Sequence, residues 1–202
     1  MHPLVYLSAH AFSLLTAWSI HTGGFWLFAL PLITYAIFPL LEVFYLGTDD
    51  NERAEREGSR IGSIMRLSLI WLMVPNVLFL LGFGLYRVAF TELAVWEILG
   101  LILTLGTLLG VFGINLGHEL GHRKERFSKI LAKTLLLSTL YMHFYIEHNY
   151  GHHANVATDK DPASSKKGQT LYAFWLQTLF GGYMSAWRIE GRRLHRNKRP
   201  YL

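Results

Sequence analysis

Apolar residues occur along this chain in blocks long enough to cross a bilayer, for which a helix needs about 20 residues. One block covers 4–20 and carries His10; the next, 25–46, has Glu42 as its one charge. A third, 61–89, is interrupted by Pro75-Asn76, and a fourth, 93–116, holds Glu97 near its start. The pattern predicts an all-α integral membrane protein with about four transmembrane helices, arranged as hairpin pairs over 1–117. Block 4–20 lacks the positively charged start and small-residue cleavage site of a signal peptide, and a second apolar run follows almost at once. It therefore reads as a retained helix. Beyond the blocks lie a histidine-rich region, 118–170, and a helix with a basic tail, 171–202.

Composition agrees. Of 202 residues, 51% are hydrophobic and 16% charged, which is more apolar than an ordinary soluble domain. The absence of cysteine excludes disulfides, thiolate-ligated zinc and iron–sulfur clusters. Net charge is +5, and its placement matters more than its size. Arg53, Arg56 and Arg60 stand between the second and third blocks, with Arg66 at the start of the third; Arg123, Lys124, Arg126, Lys129 and Lys133 follow the fourth. Segment 21–24 has no Lys or Arg, and the turn after the third block offers only Arg87. The positive-inside rule then puts loop 47–60 and everything after His118 in the cytoplasm. The tail residues Arg188, Arg192, Arg193, Arg196, Lys198 and Arg199 suit contact with anionic lipid head groups. No nucleic-acid-binding motif accompanies the charge.

Six of the ten histidines fall between 118 and 153. His118-Glu119-Leu120-Gly121-His122 is followed by a second box, His148-Asn149-Tyr150-Gly151-His152-His153. Residues four apart share a helix face, so His118 with His122, and His148 with His152, can each present two imidazoles to one metal. His153 is turned about 100° away on a regular helix and is expected to reach a second metal. Imidazole suits iron, zinc or copper, and without thiols the site is all nitrogen or nitrogen with oxygen. The competing structural reading, polar histidines making ordinary hydrogen bonds, fits a lone histidine better than five at these spacings.

The first box alone is also the H-E-x-x-H signature of a zinc protease, with Glu119 activating water. That chemistry needs a third ligand, commonly an acidic residue in a later span, and it leaves the second box unexplained. Apolar segment 130–146 is constrained by the boxes on either side of it. A single crossing would put them on opposite membrane faces, so if they cooperate the segment lies along the interface or dips and returns. Lys129 and Lys133 suit a shallow helix. Segment 171–187, bracketed by Lys166-Lys167 and Arg188, reads as another interfacial helix. The fourth block carries Gly106-x-x-x-Gly110 and Gly113-x-x-x-Gly117, which serve either close helix packing or a slot for a thin substrate.

The full second box, Glu147 to His153, continues as Val156-Ala157-Thr158-Asp159-Lys160-Asp161-Pro162-Ala163-Ser164. With the first box, and with His143-Phe144 upstream, it resembles the integral-membrane alkane 1-monooxygenases. These belong to the histidine-box diiron superfamily that includes membrane fatty acid desaturases and xylene monooxygenase. The resemblance covers essentially the whole chain, with its motif specificity in 118–165. It implies a cytoplasm-facing site of two nonheme irons in a bacterial inner membrane protein. It also implies O₂-dependent hydroxylation of the terminal methyl of medium-chain n-alkanes to primary alcohols. Electrons would come from NADH through rubredoxin reductase and rubredoxin. The implied iron ligands are His118, His122, His148, His152 and His153. His143, Glu147, Asp161 and Glu119 are candidates for further ligation or for orienting the imidazoles, although Asp161-Pro162 also reads as turn chemistry.

An alkane offers only shape and apolar surface to a pocket; Trp18, Leu40, Phe44, Leu109 and Phe112 are candidate lining residues by bulk and position, or else packing and lipid-facing residues. The related enzymes carry a third histidine cluster well downstream, and nothing after His153 resembles it. The chain therefore reads as an N-terminal portion, with a second chain that supplies the cluster or a degenerate relative as the alternatives; by itself it is expected to bind metal incompletely and not to turn over. A desaturase or an aromatic-methyl hydroxylase of the same superfamily is the alternative chemistry.

Overall fold

The computed structural model describes residues 4–44 and 60–197, in two compact units that divide between Leu116 and Gly117. Loop 47–60 up to Ser59, with Arg53 and Arg56, lies outside the described residues, as do Lys198 and Arg199 in the tail. Among the described residues there is helix and no strand. Helix α1 is Leu4–Thr22, α2 is Gly24–Phe44, α3 is Arg60–Phe90 and α4 is Val95–Gly121. Three of these are long and apolar enough to cross a membrane: Gly24–Phe44, Leu69–Phe90 within α3, and Val95–Gly121, each with a mean hydropathy of 2.0. The helices match the four apolar blocks to within a few residues at most ends, with α4 running past its block through the first histidine box. Helix α1 forms as expected, but with His10, Ser13, Thr16 and Ser19 along it, it falls outside that class.

In the first unit, Ile20, Leu27, Leu30, Leu80, Leu101 and Leu108 form a buried core, with Phe12, Phe28, Phe83 and Phe112 packed on it. His10, Ser13 and Ser19 of α1 find partners in neighbouring helices, and Thr16 donates to the Phe12 carbonyl of its own helix, as groups shielded from water must. His10 Nδ1 meets the Asn76 amide at 3.1 Å, and Ser13 donates to Met73. At the helix ends, Arg87 donates to the carbonyls of Ile20 (2.9 Å) and His21 (2.6 Å). Glu97 accepts from the Gly24 and Ala94 amides, capping α4 and holding the 21–24 turn. Arg87 and Glu97 are thus hydrogen-bonding partners for backbone at these turns.

Small-residue packing occurs at Gly84, whose missing side chain admits Leu105, and at Gly100, which admits Phe28 and Leu27. Gly106 and Gly110 are different: among the described residues nothing lies within 4 Å of where a side chain would begin, so no described side chain packs closely against them. The candidate lining residues point in several directions. Leu40 and Phe44 are exposed, Trp18 packs edge-on to Trp26, Leu109 is half-buried, and Phe112 joins the core.

The second unit contains the end of α4, helix α5 (Arg126–Ser138), helix α6 over 143–155, and helix α7 (Leu171–Arg196). Its core is Leu120, Ala132, Leu135, Leu136 and Ala186. Gly117 allows the close approach of Leu136 to α4, and α6 packs along α7.

Candidate metal centre

The end of α4 is a regular helix, and its i, i+4 spacing sets the Nε2 atoms of His118 and His122 2.9 Å apart. His148 from α6 closes a triangle, with its Nε2 2.8 Å from that of His118 and 3.1 Å from that of His122. His153 joins at 3.1 Å from His148 Nε2. Both boxes, whose facing histidines His122 and His148 are 26 positions apart, therefore meet at one point.

Hydrogen bonding does not explain a triangle of nitrogens. Each Nε2 carries either a proton or a lone pair, so among three mutual neighbours at least one edge must join two of a kind. A shared cation resolves that conflict. Imidazole nitrogens about 2.1 Å from a divalent metal, at right angles to one another, stand about 3.0 Å apart. The observed edges of 2.8–3.1 Å fit that arrangement.

The second box departs from the regular helix that its spacing predicts. Residues His148–His152 form a π-helical turn, with the His153 amide donating to the His148 carbonyl. Such single turns insert a residue into a helix and recur at functional sites. Here the turn brings His153, not only His152, beside His148. His152 keeps its ring stacked near His148 (centroids 5.3 Å apart) and turns Nδ1 to Asp161 Oδ2 at 2.8 Å.

Asp161 is 3% exposed and accepts further hydrogen bonds from Ser164 Oγ (2.5 Å) and the Ala163 amide (2.9 Å). Burial opposes its ionisation, but the bonds from Ser164, Ala163 and His152 outweigh that and hold its carboxyl below the ordinary value. The resulting carboxylate draws the His152 proton to Nδ1 and leaves Nε2 as the lone-pair nitrogen. The Ala163 bond is also an Asx-type turn, so the structural and orienting readings of Asp161-Pro162 both hold.

His148 is pushed down to about 4, first by burial and then by repulsion among the surrounding imidazoles, His118 foremost. It is therefore neutral at physiological pH, the form in which an imidazole can bind a metal. One side of the cluster, at His122 and His153, is exposed.

The other candidates lie elsewhere. Glu119 pairs with Arg123 at 3.1 Å, and the third corner facing the first box is His148 rather than an acid. Glu147 is buried over Gly151 and Gly182, and burial raises its carboxyl above the ordinary value despite a hydrogen bond from Ser185. His143 packs edge-on against Tyr141 and Tyr183, and burial lowers its imidazole. Several supporting residues carry no motif signal. Phe144 stacks on His148 (4.9 Å, 15°), Gln177 donates to the carbonyls of Pro162 and Ser164, and Thr178 donates to that of Pro162. The extension of the second box gave the Asp161 loop; only proximity in space reveals its anchor on α7.

A family model described as fatty acid desaturase matches residues 94–202, more than half of the chain. The chain is 36% identical over 182 residues to alkane 1-monooxygenase 1 of Alcanivorax borkumensis, covering 90% of this chain and 43% of that protein. It is 35% identical over 182 residues to alkane 1-monooxygenase of Pseudomonas putida, covering 90% and 44%. Against alkane 1-monooxygenase of Ectopseudomonas oleovorans the identity is 36% over 182 residues, covering 90% and 44%. The chain thus spans less than half the length of these curated relatives. The family match takes in both histidine boxes and the cluster they build, and the chain belongs to the fatty acid desaturase family.

Proposed function

We propose that this chain supplies most of the metal centre of an O₂-dependent hydroxylase that converts medium-chain n-alkanes to primary alcohols. The convergence of His118, His122 and His148 from two separate boxes on one point carries the reading. His118, His122, His148, His152 and His153 are the ligands of a nonheme diiron site, completed by groups beyond this stretch. When bound, the irons supply O₂ activation with electrons from NADH, delivered through rubredoxin reductase and rubredoxin.

The chain's own residues prepare that site. Burial and its imidazole neighbours keep His148 unprotonated, and Asp161 fixes the tautomer of His152. The π turn sets His153 beside His148. The apolar helices of the first unit fit a multi-pass protein of the bacterial inner membrane, with α1 as a fourth span. Basic residues after the first box favour a cytoplasm-facing cluster, which soluble electron donors reach while the alkane arrives through the bilayer.

A chimera tests the reading: residues 1–202 replace the matching segment of the Pseudomonas putida alkane 1-monooxygenase, and membranes receive octane, NADH, rubredoxin reductase and rubredoxin under ¹⁸O₂. The expected product is ¹⁸O-labelled 1-octanol, lost on changing His118, His122 or His148 to Ala. An alkene indicates a desaturase instead. A chimera present at normal membrane levels but without product contradicts the proposal.

A further inference from the structure

Helix α7 has two unlike faces. Tyr172, Trp175, Leu176, Phe180, Met184 and Trp187 form a stripe along one of them, each 50–73% exposed. At 100° per residue, the opposite face carries Gln177, Thr178, Ser185, Arg188 and Arg192. That polar face holds the Asp161 loop, through the Gln177 and Thr178 bonds to the Pro162 carbonyl, and borders a polar cleft of about 1010 Å³. Most of the stripe thus lies away from the Asp161 loop, while Trp187 packs edge-on to Tyr183, which in turn touches His143.

An apolar face of this kind needs a partner. Its chemistry selects one. The stripe is rich in Tyr and Trp, the residues that gather at membrane–water boundaries. Lys166 and Lys167 precede it, and Arg193 follows on the same side of the helix as Trp175, which places positive charge at both ends opposite anionic head groups. Segment 171–187 is about 25 Å long, and a crossing orientation would push Gln177, Thr178 and Ser185 into hydrocarbon. Lying flat, the same helix buries only its stripe.

We infer that α7 lies in the plane of an anionic bilayer surface, with the Tyr172–Trp187 stripe in lipid and the Arg188–Arg192 face in water. It is then a foot that seats the histidine boxes on the membrane. Helix α6, packed along α7, stands about one interhelical distance, 8–10 Å, from it. The inference concerns membrane seating and does not depend on which reaction the metal centre performs.

Because the chain has no cysteine, single-cysteine spin labels report each position without background. Labels are placed at Tyr172, Leu176, Phe180 and Trp187, and separately at Arg188 and Arg192, in the full chain reconstituted into phosphatidylethanolamine–phosphatidylglycerol vesicles. Power saturation then compares collisions with O₂, which concentrates in lipid, and with a water-soluble nickel chelate. The stripe labels are expected to favour O₂ several-fold over the nickel reagent, and the Arg188 and Arg192 labels to show the reverse. Nickel access along the stripe overturns the inference by showing a water-exposed face. Exclusion of both reagents overturns it too, because a protein segment or a second copy then covers the stripe. Metal content of the same samples shows whether the histidine site is intact, so failure of seating and failure of the site are read separately.

Discussion

His152 donates Nδ1–H to Asp161 across 2.8 Å, and Asp161 is in turn gripped by Ser164 and the Ala163 amide. The bond ties the second histidine box to a loop nine residues later and decides which nitrogen of His152 is free for a metal. Replacing Asp161 with Asn keeps the size but removes the charge that fixes the tautomer. Metal affinity is expected to fall about 10–100-fold. Iron titration of the purified variant checks this, and an unchanged affinity contradicts the orienting role.

The His148 ring has a distinct acid–base signature. In the metal-free protein it stays unprotonated at pH 5.5, where an ordinary histidine, with a value near 6.5, is mostly charged. The folded value of about 4 lies below the unfolded one, so the unfolded chain binds the extra proton between pH 6.5 and about 4. This group's contribution to stability is therefore complete above pH 6.5 and declines as pH falls through that window. Nitrogen NMR of ¹⁵N-histidine-labelled protein reads the protonation directly. A His148 resonance titrating near 6.5 contradicts the burial argument.

Gly151 sits where a methyl group would lie 2.5 Å from Glu147 Oε1 and 3.0 Å from Ile189 Cδ1. Gly151→Ala is expected to destabilise the second unit by about 1–3 kcal/mol, as overpacking does, and to lower bound metal by displacing the π turn. Adding Glu147→Ala should recover part of the loss, because it removes the nearer clash. A double-mutant cycle on thermal stability and metal content measures the coupling. Strictly additive losses contradict the packing account.

Much of this molecule was legible in its order of residues. The apolar blocks gave the helices because nothing but helix satisfies backbone groups across a long apolar run. The boxes pointed to the imidazoles that the structure brings together, His118, His122 and His148, because i, i+4 spacing is geometry that one segment carries alone. The π turn at His148–His152 was not legible, since i+5 bonding there depends on how α6 packs rather than on its local pattern. Nor were Gln177 and Thr178, which act from a helix distant in sequence on the Pro162 carbonyl. Gly106 and Gly110 misled in the other direction: their spacing suits a packing seam, yet no described side chain packs closely against them.

The central claim is that both boxes hold the same metal. Metal analysis of the membrane-purified protein, repeated with His118, His122 and His148 each changed to Ala, tests it most directly. The account predicts bound iron that falls with every substitution, including His148→Ala in the second box. Zinc that depends on His118 and His122 but is untouched by His148→Ala would contradict it.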